Sequence, residues 1–186
     1  AIKEDLGHVP SRVEFFNNMD DDIYDNIKTK KGLTPFANYM VFLNNINELN
    51  EEESVLYNTR AREFINMIET TSMSKTYKMP VLLAFYNNGD IKMDIDEEDV
   101  YKSFYEFYHQ GSNKVDMLKD KSTKDFMEWD SKKYIKLAKS NPVKYLLQTH
   151  SDFFKEKEGY VLALTDDLRE FINKEECFYK EALFYL

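Results

Sequence analysis

Along residues 51–70 the apolar side chains Tyr57, Ala61, Phe64, Ile65 and Ile68 recur at three- and four-residue steps, the spacing of one buried helical face. Asn50 precedes Glu51-Glu52-Glu53, so a cap and three acids meet the positive end of that helix. Ser11 and Glu14 have capping-box spacing, each able to satisfy a free N–H at a helix start. Thr34-Pro35 and Asn141-Pro142 each pair a cap residue with proline at a first helical position, where its missing N–H costs nothing. Residues 1–70 are thus predicted to form four or five helices joined by short loops.

From residue 76 the pattern changes. Thr76 to Asn87 is apolar enough for a short helix, with Pro80 near its start and Asn88-Gly89 at its end. Ile91, Met93 and Ile95 then alternate with Lys92 and Asp94, the period of a strand. Asp96 should cap a helix to about His109, with Val100, Phe104, Phe107 and Tyr108 inward and Tyr101 and Tyr105 off that face. Residues 111–130 look irregular, anchored by Trp129. Helices are predicted at about 131–139 and 141–150. Phe153 to Leu164 suits two short strands around Glu158-Gly159, and Thr165 should cap a helix through Ile172. Helix, strand, helix, helix and hairpin is the element order of a winged-helix domain. The expected fold is mainly α: a helical lobe over 1–72, and a winged-helix-like lobe over 73–186 with an insertion at 111–130. A small three-stranded β element should pair strand 91–95 with the 153–164 hairpin.

Composition narrows the classes without choosing among them. Few glycines and prolines in 186 residues argue against a turn-rich all-β fold, and abundant aromatics argue against disorder. The single cysteine, Cys177, leaves no intramolecular disulfide and fits a reducing, cytoplasmic setting. No apolar run suits a membrane span, so no membrane partner is expected. The chain opens Ala1-Ile2-Lys3 inside a helical pattern and closes on an apolar run from Tyr179 to Leu186, which predicts a segment of a longer protein.

Charge is laid out unevenly around a net −9. Residues 131–151 carry Lys132, Lys133, Lys136, Lys139 and Lys144 and no acid, whereas 90–99 carry six acids against Lys92. Val143, Leu146 and Leu147 would face inward from a helix starting at Asn141, leaving Lys144 and Gln148 outward. Read as a helix-turn-helix, 131–150 would place five lysines near phosphates, with Gln148 reaching a base edge. Binding to DNA should be weak and steeply salt-dependent, with a log–log slope of roughly −3 to −4. A solvated lysine face is the plain alternative.

Catalytic chemistry finds little support. Asp90, Lys92 and Asp94 on one strand suggest a metal-dependent nuclease, but a further carboxylate on a neighbouring element is lacking. Thr149, His150 and Asp152 are adjacent in sequence, which does not make a triad. His8, His109 and His150 have no metal-ligand spacing with Cys177. No phosphate-binding loop occurs. Neither a catalytic residue, a metal nor a cofactor is therefore assigned.

Leu6-Gly7-His8-Val9-Pro10-Ser11-Arg12-Val13-Glu14 resembles a helix-opening pattern found downstream of the motor in bacterial DEAD/DEAH-box (superfamily 2) helicases of the restriction and defence type. Those proteins often carry an N-terminal phospholipase-D-like nuclease. Phe64-Ile65, Ile68 to Lys75 and Tyr77 to Phe85 extend the likeness, followed by Val115-Asp116-Met117, Trp129, Leu137-Ala138 and Asn141-Pro142. His8 stands where the family often has arginine. The resemblance implies a non-catalytic C-terminal accessory domain whose partners are DNA and the helicase motor domains of its parent chain. The competing expectation is an interdomain or partner-docking scaffold without nucleic-acid contact; an independent nuclease is a minor third.

Overall fold

A computed structural model gives the fold of residues 1–28, 35, 36, 38–87 and 90–169. The expected start at Thr34, the stop at Asn88-Gly89, the end of the Thr165 helix, Cys177 and the apolar run 179–186 lie outside the described residues. The chain divides after Thr71 into two compact units.

Among its described residues the first unit is helical throughout: α1 (Ile2–Leu6), α2 (Arg12–Asn17), α3 (Asp21–Lys28), α4 (Tyr39–Asn45), α5 (Glu51–Tyr57) and α6 (Arg60–Thr70). The Ser11 side chain accepts from the Glu14 N–H at 3.2 Å, and the Glu14 carboxylate accepts in turn from the Ser11 N–H at 2.8 Å. Asn50 and Glu53 repeat the motif, both bonds at 2.8 Å. The single helix expected over 51–70 is two. Thr59 breaks it, because its hydroxyl accepts from the Ala61 N–H at 3.2 Å and opens α6 anew. Ala61, Phe64, Ile65 and Ile68 of α6 are buried as expected, with Tyr39, Met40 and Leu43 of α4. Tyr57 is only half-buried.

A charged pair lies in this core. Arg12 donates to Glu69, both side chains being almost wholly inaccessible, and Glu69 also accepts the Asn38 N–H. The Arg12 guanidinium sits 5.3 Å from the centroid of the Tyr39 ring. Burial pushes the Glu69 carboxyl above its ordinary pKa, against the opposing pull of Arg12 and the backbone N–H.

The second unit packs helices against a small sheet. α7 (Lys78–Ala84) is followed by the two-residue strands β1 (Tyr86–Asn87), β2 (Asp90–Ile91) and β3 (Asp94–Ile95), then α8 (Glu97–Tyr108) and α9 (Val115–Lys119). α10 (Ser131–Ala138), a π-helical turn (Lys139–Val143), α11 (Lys144–Thr149), β4 (Phe154–Lys155) and β5 (Leu162–Leu164) complete it. The sheet has the antiparallel order β3-β5-β4, with Asp94 opposite Ala163 and Phe154 opposite Leu164. β3, the strand ahead of α8, therefore pairs with β5, the last strand among the described residues. Phe85, Ile95, Val100, Phe104, Tyr108, Tyr134, Leu146, Phe154 and Leu162 fill the core between sheet and helices.

The helix expected over Thr76–Asn87 ends at Ala84, and Tyr86–Asn87 pair as β1 instead. Four further expectations need correction. The strand over 91–95 is two strands, because β2 pairs back on β1 while β3 joins the sheet. The insertion is anchored by Met117 and Phe126, both fully buried, and not by Trp129, which is half-buried. Thr123 closes this segment by donating to the Met117 carbonyl at 2.6 Å, and Asp116 accepts the Thr76 N–H at 2.9 Å ahead of α7. Thr165 donates to the Asp152 carbonyl at 3.2 Å instead of capping, and a short 3₁₀ turn follows over Asp166–Leu168.

The fourth correction concerns the helix-turn-helix. No turn separates 139 from 141: Ala138, Lys139, Val143 and Lys144 all keep right-handed helical dihedrals. Proline inside a helix removes one N–H and crowds the carbonyl four residues earlier, here that of Ala138. The chain answers with a π turn around Pro142, and the helix runs on.

Candidate nucleic-acid interface

The π turn sets which side chains share a face. Lys132 and Lys136 are one α-turn apart, Lys139 follows three residues on, Lys144 five beyond it, and Gln148 four after that. An α-helix returns every 3.6 residues, and a π turn absorbs one more, so the five-residue step across 139–144 keeps the row straight. All five side chains are exposed. Tyr134, Ala138, Pro142, Val143 and Leu146 form the opposite, buried side. Lys133 leaves the row: it turns towards Trp129, 6.0 Å from the ring centroid, and lies 3.9 Å from Asp125.

The row is not clear of the acidic stretch. Lys139 lies 2.6 Å from Glu97 at the first position of α8, since α8 packs alongside α10. Among the described residues Lys132, Lys136 and Lys144 form no ion pair. Lys92, on the acidic side, is held by Asp99 at 2.5 Å, which raises the lysine pKa chiefly through that hydrogen bond.

The β4–β5 hairpin adds a wall that sequence reasoning did not assign to the site. Between it and the helix lies an open cleft of 720 Å³, with Lys139, Lys144, Leu147 and Gln148 on the helix side. The hairpin side presents Glu156, Lys157, Glu158 and Tyr160. Gly159 turns the tip at φ +83°, a conformation glycine adopts without strain. Lys157 pairs with Asp94 of β3 and sits 4.6 Å from the Tyr160 ring centroid, so the tip is tied back to the sheet. Glycine after an acidic residue signalled the turn in the sequence, but nothing there signalled that the turn would stand beside Gln148.

The remaining candidates are engaged elsewhere. Of the residues on the nuclease-like strand, Asp94 accepts from Lys157 and Lys92 donates to Asp99. Among the described residues no three His, Cys, Asp or Glu side chains are placed to hold a metal. His150 ends α11, its pKa lowered by burial and then by nearby Lys78. His8 lies 3.1 Å from Glu14, beside the α2 cap. Among the described residues no helix is long and apolar enough to cross a membrane. Chemically, the row offers exposed ammonium groups and one amide on a single helix, a set suited to anions and hydrogen-bonding edges, while the cleft beside it also presents the carboxylates of Glu156 and Glu158.

No protein-family model, no curated protein and no solved structure matches this chain.

Proposed function

We propose that this chain is a non-catalytic accessory domain that contacts DNA, weakly and in a salt-dependent way, through the helix over 131–149. The observation that carries the proposal is the single exposed row of Lys132, Lys136, Lys139, Lys144 and Gln148 beside a hairpin-walled cleft. The lysines would meet phosphates and Gln148 a base edge, with Lys133 at the margin. The sequence resemblance supplies the setting: a DEAD/DEAH-box helicase of the restriction and defence type, its motor elsewhere in the parent chain. There a tethered motor would raise the effective DNA concentration, so modest intrinsic affinity suffices.

A net −9 opposes DNA, and Glu97 occupies one lysine of the row; both favour the partner-docking alternative. Fluorescence anisotropy with a short duplex at ~20 mM salt separates the two. The wild type should bind there, and its affinity should fall steeply with added salt to a Kd of ~10 μM or weaker at ~150 mM, within the range of non-specific association. Lys136→Glu, Lys139→Glu and Lys144→Glu together should abolish binding with the circular dichroism spectrum unchanged. Equal binding by the triple variant, or none by the wild type, would favour the scaffold.

A further inference from the structure

We propose that the β4–β5 hairpin reads unpaired guanine: Glu156 and Glu158 accept the N–H groups of its pairing edge while the strand's phosphates follow Lys144. The inference rests on the nucleic-acid reading of the lysine row and deepens it, since the cleft beside the hairpin is lined by Lys139, Lys144 and Gln148 of that row.

The two walls of the 720 Å³ cleft differ in charge. On the helix side Lys139 is paired with Glu97, whereas Lys144 and Gln148 are exposed and form no side-chain hydrogen bond or ion pair among the described residues. On the hairpin side Lys157 is paired with Asp94 and lies against the Tyr160 ring, so its charge is already balanced. Glu156 and Glu158, to either side of Lys157, are exposed and have no hydrogen bond or ion pair among the described residues. Two unengaged carboxylates thus share an open cleft with an unengaged lysine and amide, without pairing to them.

Such a cleft suits a ligand with one anionic side and one donating side. A single nucleic-acid strand has that form, with phosphates along one side and base edges along the other. In a duplex a phosphate backbone borders both sides of every groove, so one backbone would meet the carboxylates; the outer lysines accept either form, but the cleft does not. The carboxylates also choose among bases. A carboxylate only accepts, and its two oxygens take a parallel pair of N–H groups best. Guanine alone offers that pair, N1–H beside the N2 amino group. Adenine and cytosine set an acceptor beside their amino group, and thymine flanks its one N–H with two carbonyls. Guanine's pair is engaged in a Watson–Crick duplex, so it is read only from an unpaired strand.

The test uses the whole chain and three twelve-nucleotide strands of equal charge at ~20 mM salt: all thymidine, thymidine with three separated guanines, and the same strand with inosine for guanine. Inosine lacks only the N2 amino group. In anisotropy titrations the guanine strand should bind about fivefold tighter than the inosine strand, the loss expected when a bidentate pair becomes a single bond, and the thymidine strand no tighter than inosine. Glu156→Ala with Glu158→Ala should tighten binding of all three strands by lifting repulsion, yet bring the guanine-to-inosine ratio to within about twofold of one. A hairpin whose acids merely repel phosphate would tighten every strand and leave the ratio as it was. Equal binding of the guanine and inosine strands by the wild type, a preference that survives the double substitution, or no binding of any strand where a duplex binds would each overturn the inference. The lysine proposal is judged apart from these, by loss of duplex binding in the triple lysine variant. If neither strand nor duplex binds the wild type, both proposals fall.

Discussion

Changing Glu97 to Gln removes the carboxylate that holds Lys139 without removing any lysine, and so asks how many members of the row can reach a phosphate. Among the described residues Lys132, Lys136 and Lys144 form no ion pair, whereas Lys139 is 2.6 Å from Glu97. Three available lysines imply a log–log salt slope of about −2.7 on duplex DNA, from about −0.9 per neutralised phosphate. Releasing Lys139 makes four and steepens the slope to about −3.6. Both partners are half-exposed, so their pairing is worth at most about 1 kcal/mol, and Glu97→Gln should tighten low-salt binding by up to about fivefold. The helix should tolerate the change. Asp96 still caps α8 through the Asp99 N–H at 2.9 Å, and Glu98 and Asp99 remain beside the positive end of its dipole. Anisotropy titrations from ~20 to ~150 mM salt measure slope and affinity together. A slope and an affinity both equal to wild type would mean that Lys139 does not take part, and that the row does not act as one surface.

Two stability predictions bear on the separate units. In the first, Glu69→Ala strips the buried counter-charge from Arg12 and should cost about 3–5 kcal/mol in urea denaturation; a loss below about 1 kcal/mol would show the pair to be solvated. Because the folded Glu69 pKa is raised, the native state holds that proton more tightly than the unfolded chain. Stability of this unit should therefore fall as pH rises from the ordinary carboxylate value through the raised one, and Glu69→Gln should remove that component of the fall. In the second unit, Asp116→Ala removes the acceptor for the Thr76 N–H and should cost about 1 kcal/mol at neutral pH, the worth of a helix cap. The Asp116 pKa is lowered chiefly by that same bond, so the difference from wild type should vanish as pH drops through the depressed value, read from thermal melts.

Local rules made much of this fold readable. Capping boxes at Ser11 and Asp96 act over three residues, and both are where the spacing puts them. The period-3.6 face of α6 and the outward placement of Lys144 and Gln148 were equally visible, being local too. What escaped was decided by competition or by distance. Asn141-Pro142 has the chemistry of a helix start, but burial of Val143 and Leu146 on the same side as Tyr134 kept the helix going at the expense of a π turn. Thr59 outbid a continuous apolar face because its hydroxyl satisfied a backbone N–H. Trp129 looked like an anchor by size, yet Phe126, three residues earlier, is the ring the core encloses. The contact of Lys139 with Glu97 spans forty-two positions, and no window of sequence holds such a pair together.

The small sheet also dictates an order of events in folding. β5 meets β4 within about ten residues, Phe154 opposite Leu164, so that hairpin closes cheaply. Its other partner is far away: Asp94 pairs with Ala163 across 69 positions, and closing a loop of that length costs about 3.8 kcal/mol of chain entropy. α7, α8 and the long helix can all begin to form before that closure, but Ile95 has no strand beside it until Leu162 has left the ribosome. During synthesis the last dozen described residues thus act as the latch of the second unit. Such distant pairing slows folding for its size and leaves an assembled but unlatched set of helices as the natural target of proteases or chaperones.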